Sequence, residues 1–218
     1  MRLKYIGQGL DPDSDICSGY SIIESLESEN YNSFNAFVAF VSASGINNII
    51  EQLLTFRDNG GELKLYLGVD LNATSKEALE QLIKYNIESY IVYSPNNIIY
   101  HPKIYVFEGE LEKRAIVGSS NLTESGLFQN IEASVCVDFE FNDENGKEFL
   151  ADIYDHFNAI INREHPSCQR LTQDLLNILV ESNVVLPEKV NRAKRNKINV
   201  SIRSRPYFFA SFLASLIC

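Results

Sequence analysis

FNAFVAFVS at residues 34–42, followed by SGINNIIEQLL at 44–54 and GELKLYLGV at 61–69, sets the fold class. The first stretch is apolar on both faces, aromatic and β-branched, the pattern of a strand buried within a layered protein. Ser44-Gly45 opens a helical stripe of Ile46, Ile49, Ile50, Leu53 and Leu54, which Asn59-Gly60-Gly61 closes. Leu63, Leu65, Leu67 and Val69 alternate as a second strand. Working outward, Thr74-Ser75-Lys76-Glu77 reads as a capping box, with Ala78, Leu79, Leu82 and Ile83 behind it at helical spacing. Residues 89–94 read as a third strand, ended by Pro95-Asn96-Asn97. This β-α-β-α-β order predicts an α/β fold, a mixed, mainly parallel sheet with right-handed crossovers and helices on both faces.

Two short strands follow at 101–107 and 114–118, joined by a polar turn, and 131–139 reads as another. One amphipathic helix then carries Phe149, Ile153, Phe157 and Ile160, and a second carries Leu171, Leu175, Ile178 and Leu179. Pro187 ends this body. The expected division is a catalytic domain over 1–165 and a helical C-terminal extension over 166–218, with a basic arm at 189–205 and an apolar end.

Composition narrows the classes. The chain has 218 residues, 45% of them hydrophobic and 22% charged, which suits a globular protein with a sizeable core and neither a disordered nor a membrane-embedded one. No apolar run approaches the roughly 18 residues of a membrane span, and the first residues lack the apolar stretch of a secretion signal. Cys17, Cys136, Cys168 and Cys218 lie far apart with no CxxC pair, so a reduced, cytoplasmic protein is expected. The net charge of −10 argues against nucleic-acid binding through the overall field. Yet Lys189, Arg192, Lys194, Arg195, Lys197, Arg203 and Arg205 fall in a tail without Asp or Glu. That asymmetry fits an arm touching phosphates or a solvated tail offsetting an acidic body.

The chemistry concentrates in 100–138. His101 and Lys103 are two apart on a predicted strand, and a period of two places both on one face. An imidazole beside an ammonium suits a phosphate: the lysine offsets phosphoryl charge while the imidazole attacks phosphorus or moves a proton. Ser119 and Asn121 follow the next strand, where a hydroxyl and an amide can donate to phosphate oxygens. Glu132 begins the strand after that, sharing a face with Ser134, Cys136 and Asp138. A carboxylate there could orient His101 and support its charged form. His156 reads as a surface histidine and Cys136 as a buried, unreactive thiol.

His101-Pro102-Lys103-Ile104-Tyr105, Gly118-Ser119-Ser120-Asn121-Leu122-Thr123 and Asn130-Ile131-Glu132 together resemble the phospholipase D superfamily. More narrowly they resemble its single-motif nuclease branch, which includes NgoFVII-like restriction endonucleases and helicase-associated PLD-like domains. The resemblance covers roughly residues 30–160. The chain departs from the pattern in three ways. Glu108 stands where the motif has Asp and is read as structural, the turn before Gly118 is longer, and only one copy of the motif is present.

The resemblance implies a PLD-like fold and a phosphodiesterase that needs no metal or cofactor. With one motif, the chain must form a homodimer to supply two histidines. His101, Lys103, Asn121 and Glu132 are then the catalytic set, and Lys103, Ser119 and Asn121 hold the phosphate. Arg192, Lys194, Arg195 and Lys197 form a nucleic-acid arm. DNA is the preferred partner, with RNA open and no membrane. The preferred function is a restriction- or defence-type endonuclease acting through a phosphohistidine. A lipid phospholipase or phosphatidyltransferase and a non-catalytic DNA-binding module are the alternatives.

Overall fold

A computed structural model describes residues 1–11, 14–93 and 98–190 of the protein. The chain runs β1 (Arg2–Gln8), α1 (Ser18–Glu27), β2 (Ser33–Val38), α2 (Ala43–Asn47), α3 (Ile50–Asp58) and β3 (Glu62–Gly68). It continues through a 3-10 turn (Asp70–Asn72), α4 (Lys76–Lys84), β4 (Ser89–Val92), β5 (Lys103–Glu108) and β6 (Glu112–Gly118). A π-helical turn (Ser125–Gln129), β7 (Glu132–Glu140), α5 (Glu144–His156), α6 (Asn158–Ile161), β8 (Cys168–Arg170) and α7 (Gln173–Glu181) complete it.

All eight strands form one sheet in the order β1-β7-β6-β5-β2-β3-β4-β8. Only β2–β3 and β3–β4 pair in parallel, and the other pairings are antiparallel. The expected mainly parallel sheet is thus corrected to a mainly antiparallel one. The physical reason lies in the connections. Helices carry the chain across from β2 to β3 and from β3 to β4, but three residues join β5 to β6 and no long helix separates β6 from β7. The three-residue link can only reverse the chain, and the 119–131 connection, without a crossover helix, returns beside β6 antiparallel.

Local chemistry accounts for the helix starts. Ser42 caps α2 by accepting from Gly45 N at 3.0 Å, and Thr172 caps α7 by accepting from Leu175 N at 3.2 Å. The stripe at 44–54 forms two helices rather than one, because Ile49 adopts φ −131° and ψ 3° between α2 and α3 while remaining buried. The box expected from Thr74 is displaced by one residue: Ser75 caps α4, accepting from Ala78 N at 3.3 Å. Thr74 instead donates to the Gly68 carbonyl at 2.6 Å and accepts from Val41 N at 3.2 Å, tying the end of β2 to that of β3.

Helices cover both faces of the sheet. On one face Ile6, Phe34, Ala36, Val38, Tyr105, Phe107 and Cys136 pack under α1 to α4 and α7. On the other, Phe37, Tyr66, Tyr90, Val106, Val137 and Phe139 pack under α5 and α6. Phe37 is fully buried there, its ring stacked on Tyr66 at 4.9 Å and on Phe157 at 4.4 Å. Phe37→Ala is expected to cost about 4 kcal/mol and lower the thermal midpoint by about 8–16 °C, measured by calorimetry.

The described part of the C-terminal extension is tied into this body. β8 pairs with β4, Leu176 and Leu179 of α7 are buried, and Leu186 accepts from Lys76 N at 3.1 Å. Arg192, Lys194, Arg195, Lys197 and the apolar end lie outside the described residues, as does the turn at 94–97. Among the described residues, no helix is long and apolar enough to cross a membrane.

Candidate active site

Strand register gathers the predicted site residues at one end of the sheet. Val38 pairs with Lys103, Ile104 with Val117, Gly118 with Ser134, and Gln8 with Glu132. His101 and Pro102 lead into β5, Ser119 and Asn121 follow β6, and Glu132 opens β7. Three antiparallel neighbours therefore deliver four polar side chains to one end of the sheet.

His101 is exposed, whereas Lys103 is only 8% exposed. Lys103 Nζ donates to the His101 carbonyl at 2.9 Å and lies against the imidazole, 3.1 Å from Nε2. Phe40 meets the imidazole edge-on at 5.4 Å between ring centres. Partial burial, and then the charge of Lys103, push the His101 pKa below its ordinary value. Burial also pushes the Lys103 pKa down, while the charge of Glu132 works against it.

Asn121 is fixed by its oxygen: Oδ1 accepts from Phe40 N at 3.2 Å, which leaves the amide nitrogen as the group to donate. Ser119 Oγ donates to the Glu132 carboxylate and accepts from Ala133 N at 3.0 Å. The other Glu132 oxygen accepts from Asn130 Nδ2 at 3.0 Å. The carboxylate expected to orient His101 is thus bonded to Ser119 and Asn130, and it reaches Lys103 through its charge. Glu108 sits at the far end of β5, bonded to Tyr154 and Lys113, a structural position.

A buried layer of hydroxyls and an amide supports the Gly118–Asn121 turn. Ser18 Oγ lies 2.9 Å from Ser120 Oγ and 3.2 Å from Ser134 Oγ. Gln8 accepts from Ser18 N at 3.2 Å and donates to the Gly126 carbonyl at 3.1 Å. Tyr105 Oη donates to the Ser120 carbonyl at 2.9 Å. Gly118 passes so close to β7 that a Cβ would lie 2.1 Å from Ser134 Oγ and 2.5 Å from the Ala133 carbonyl. Asp70 accepts from Tyr100 N at 3.0 Å and so holds the residue before His101. Sequence reasoning missed Gln8, Ser18, Phe40 and Asp70. The polar Gln8 in a strand and the buried acid after β3 were the available signals.

Beside His101 opens a cavity of about 810 Å³ with walls of Ile98, Ile104, Phe149 and Phe157, and His156 and His165 also border it. These are the chain's three histidines. Cys136 is buried, and burial pushes its thiol up to about 11, which suits the inert role expected of it.

A sequence model of a family described as cardiolipin synthase, PLD-like domain, matches residues 36–161, more than half of the chain. The fold is similar to the crystal structure of Nuc, a phospholipase D family member from Salmonella typhimurium. The TM-score is 0.53 at 16% identity, over 78% of this chain and 97% of that one. NucT from Helicobacter pylori gives 0.52 at 12% identity, over 77% and 98%. Phosphatidylserine synthase from Haemophilus influenzae Rd KW20 gives 0.53 at 11% identity, over 90% of this chain and 46% of that one. At these identities the likeness is one of fold. No curated protein matches the chain.

Proposed function

The chain belongs to the phospholipase D superfamily, whose members are phosphodiesterases, and from that premise we propose that it is a metal-independent DNA endonuclease acting as a homodimer. The observation that carries this reading is the convergence of His101, Lys103, Asn121 and Glu132 from three strands onto one end of the sheet. Nε2 of His101 attacks phosphorus, forming an N–P bond as the P–O bond to the leaving nucleoside breaks. His101 of the partner subunit gives its proton to the leaving oxygen. It then takes a proton from the water that attacks phosphorus, and the N–P bond breaks, restoring both imidazoles. Lys103 and the amide of Asn121 stabilise the charge that develops on the non-bridging oxygens.

Ser119 holds Glu132, and the Glu132 charge favours the ammonium form of Lys103. The hydroxyl of Ser119 can turn to a phosphate oxygen when one is present. Residues 1–188 hold 12 Lys and Arg against 29 Asp and Glu, so the body repels a polyanion, and Arg192, Lys194, Arg195 and Lys197 are assigned the DNA backbone. The apolar cavity beside His101 favours a second reading, transfer or hydrolysis of a lipid phosphodiester whose acyl chain lies along Ile98, Ile104 and Phe149.

Plasmid, single-stranded DNA and phosphatidylcholine vesicles, each incubated with the protein in EDTA, separate the readings. Cleavage of DNA with mapped ends is the expected result. Release of choline alone would move the assignment to lipid. Binding of DNA without cutting would leave a binding module.

A further inference from the structure

Five residues other than glycine have a positive φ among the described residues, and three of them, Leu71, Asn72 and Asn183, meet at one place. Asn183 follows α7, where a left-handed residue is an ordinary helix ending that asparagine tolerates. Two left-handed residues in succession are not ordinary. Leu71 at +59° and Asn72 at +52° lie in the turn between β3 and α4, and leucine has no polar group with which to compensate. Its side chain is 68% exposed, so core packing does not explain the conformation either. Backbone strain of this kind persists where the surrounding structure over-determines it, and it clusters at functional sites.

The neighbours of Leu71 supply that determination. Asp70 is buried, and one of its carboxylate oxygens accepts from Tyr100 N at 3.0 Å. A buried carboxylate is costly unless it is bonded, and a backbone N–H given to a charged acceptor makes one of the stronger bonds. On the other side, Asn72 Nδ2 donates to the Asn183 carbonyl at 2.7 Å and the Val184 carbonyl at 2.8 Å. The turn thus joins the C-terminal extension to the residue before His101.

The backbone around the imidazole is tethered on both sides. A Cβ on Gly68 would lie 3.0 Å from the Tyr100 carbonyl oxygen, so glycine lets β3 end against this segment, and Tyr100 Oη donates to the Tyr66 carbonyl at 3.4 Å. Beyond His101, the Pro102 carbonyl accepts from Ala39 N at 2.8 Å. Of these tethers, the Asp70 bond is the one that leads to the extension. The same connection also reaches the other half of the site. Thr74 and Ser75 bond both backbone groups of Val41, and the adjacent Phe40 gives its N–H to Asn121 and packs against His101.

We propose that Asp70 and Asn72 are positioning residues, through which the C-terminal extension sets the direction of the His101 imidazole. The kinetic consequence rests on the reading of His101 as the nucleophile. The stretch from β8 to Glu188 is then part of the catalytic unit and not an appendage to it. Without the Asp70 bond, Tyr100 N is released and the imidazole leaves its place beside Phe40 and Lys103. A misplacement of about 1 Å at a reacting group costs on the order of 10²-fold in rate. Lys103 and Asn121 still meet the phosphate, so the effect falls on kcat and not on KM.

Two measurements on the full chain test this: steady-state hydrolysis of bis(4-nitrophenyl) phosphate in EDTA, and the nuclear Overhauser contact between the Phe40 ring and the His101 imidazole. Asp70→Ala is expected to lower kcat by about 30–100-fold with KM within about twofold, and to abolish the contact. Asp70→Asn keeps an oxygen for Tyr100 N and is expected to hold kcat within about threefold of wild type, with the contact present. Asn72→Gly keeps the positive φ but not the bonds to the extension, and is expected to weaken the contact and lower kcat by about 10-fold. Leu71→Asn alters neither bond and is expected to leave kcat within about twofold.

An Asp70→Ala variant that keeps both the contact and kcat would overturn the proposal. So would an Asp70→Asn variant that fails as alanine does, since the charge and not the bond would then matter. Wild-type behaviour of Asn72→Gly would separate the extension from the site and overturn the proposal as well. If Asp70→Ala does not fold, Asp70→Asn and Asn72→Gly decide the matter by the same criteria. A wild type that shows the contact but hydrolyses no phosphodiester would remove the nuclease reading, while loss of the contact in Asp70→Ala and Asn72→Gly would still uphold the positioning role.

Discussion

His101→Ala is expected to lower phosphodiester cleavage by at least about 10⁴-fold while moving the thermal midpoint by no more than about 2 °C. The asymmetry follows from where the residue sits. His101 is exposed ahead of β5, and its ring meets the edge of Phe40 and the Lys103 ammonium, so truncation leaves no cavity in either core. In the proposed mechanism the loss falls on the nucleophile, and both chemical steps need an imidazole. Mixing sharpens the test. If both imidazoles serve one site, equal amounts of wild type and variant, reassorted at random, should retain about a quarter of wild-type activity; independent subunits would retain about half. Activity is measured on a fluorogenic diester in EDTA after denaturation and co-refolding. Retention of more than about 1% by the variant alone would remove His101 from the nucleophile's role.

How much of this was legible in the sequence depended on range. The β2 to β4 region was readable because each element carries its own period: buried Ala36 and Val38 on one face against Phe37 on the other, and the Ala78, Leu79 and Leu82 stripe of α4. The His101 and Lys103 spacing and the Gly118–Asn121 turn were readable because their chemistry is local. Strand direction was not. β5, β6 and β7 look like any short strands, and their antiparallel pairing is fixed by brief connections whose geometry no side-chain period reports. β1 was missed for a related reason. Arg2, Lys4 and Gln8 dilute its apolar pattern, and it is specified by pairing with β7 across almost the whole domain.

The site divides in the same way. The candidate residues were named from local motifs, but the bond of Glu132 to Ser119 was not, because the β6–β7 register makes it, whereas Asn130 lies only two residues away. Ser18 looks like an ordinary helix-start serine in the sequence. Only the fold shows it buried against Ser120 and Ser134, beneath the turn that carries Asn121. The site thus stands on a polar layer placed by long-range packing, while its chemistry comes from local motifs.

Lys103→Met is expected to move activity and stability in opposite directions. The lysine is buried at the start of β5, where Val38 pairs with it and Tyr105 follows on the same face, and burial alone disfavours its ammonium. Methionine has a similar length and nothing to hydrate, so the fold should gain about 1 kcal/mol, a rise of about 2–4 °C in the midpoint. The transition state loses the charge nearest the imidazole, and kcat/KM should fall by about 10²–10³-fold, the range for a single preorganised donor. The pH profile supplies the third readout. A nucleophilic imidazole must be neutral, so activity falls as pH drops through the His101 pKa. That pKa is held below its ordinary value by burial and then by Lys103. Removing the ammonium deletes the second cause, raises the pKa, and should shift the acid limb of kcat/KM to higher pH, with the pair's coupled titration setting the apparent values. A midpoint that falls would make Lys103 a structural element. An acid limb that stays in place would show that its charge does not act on His101, and the substitution would then report on phosphate binding alone.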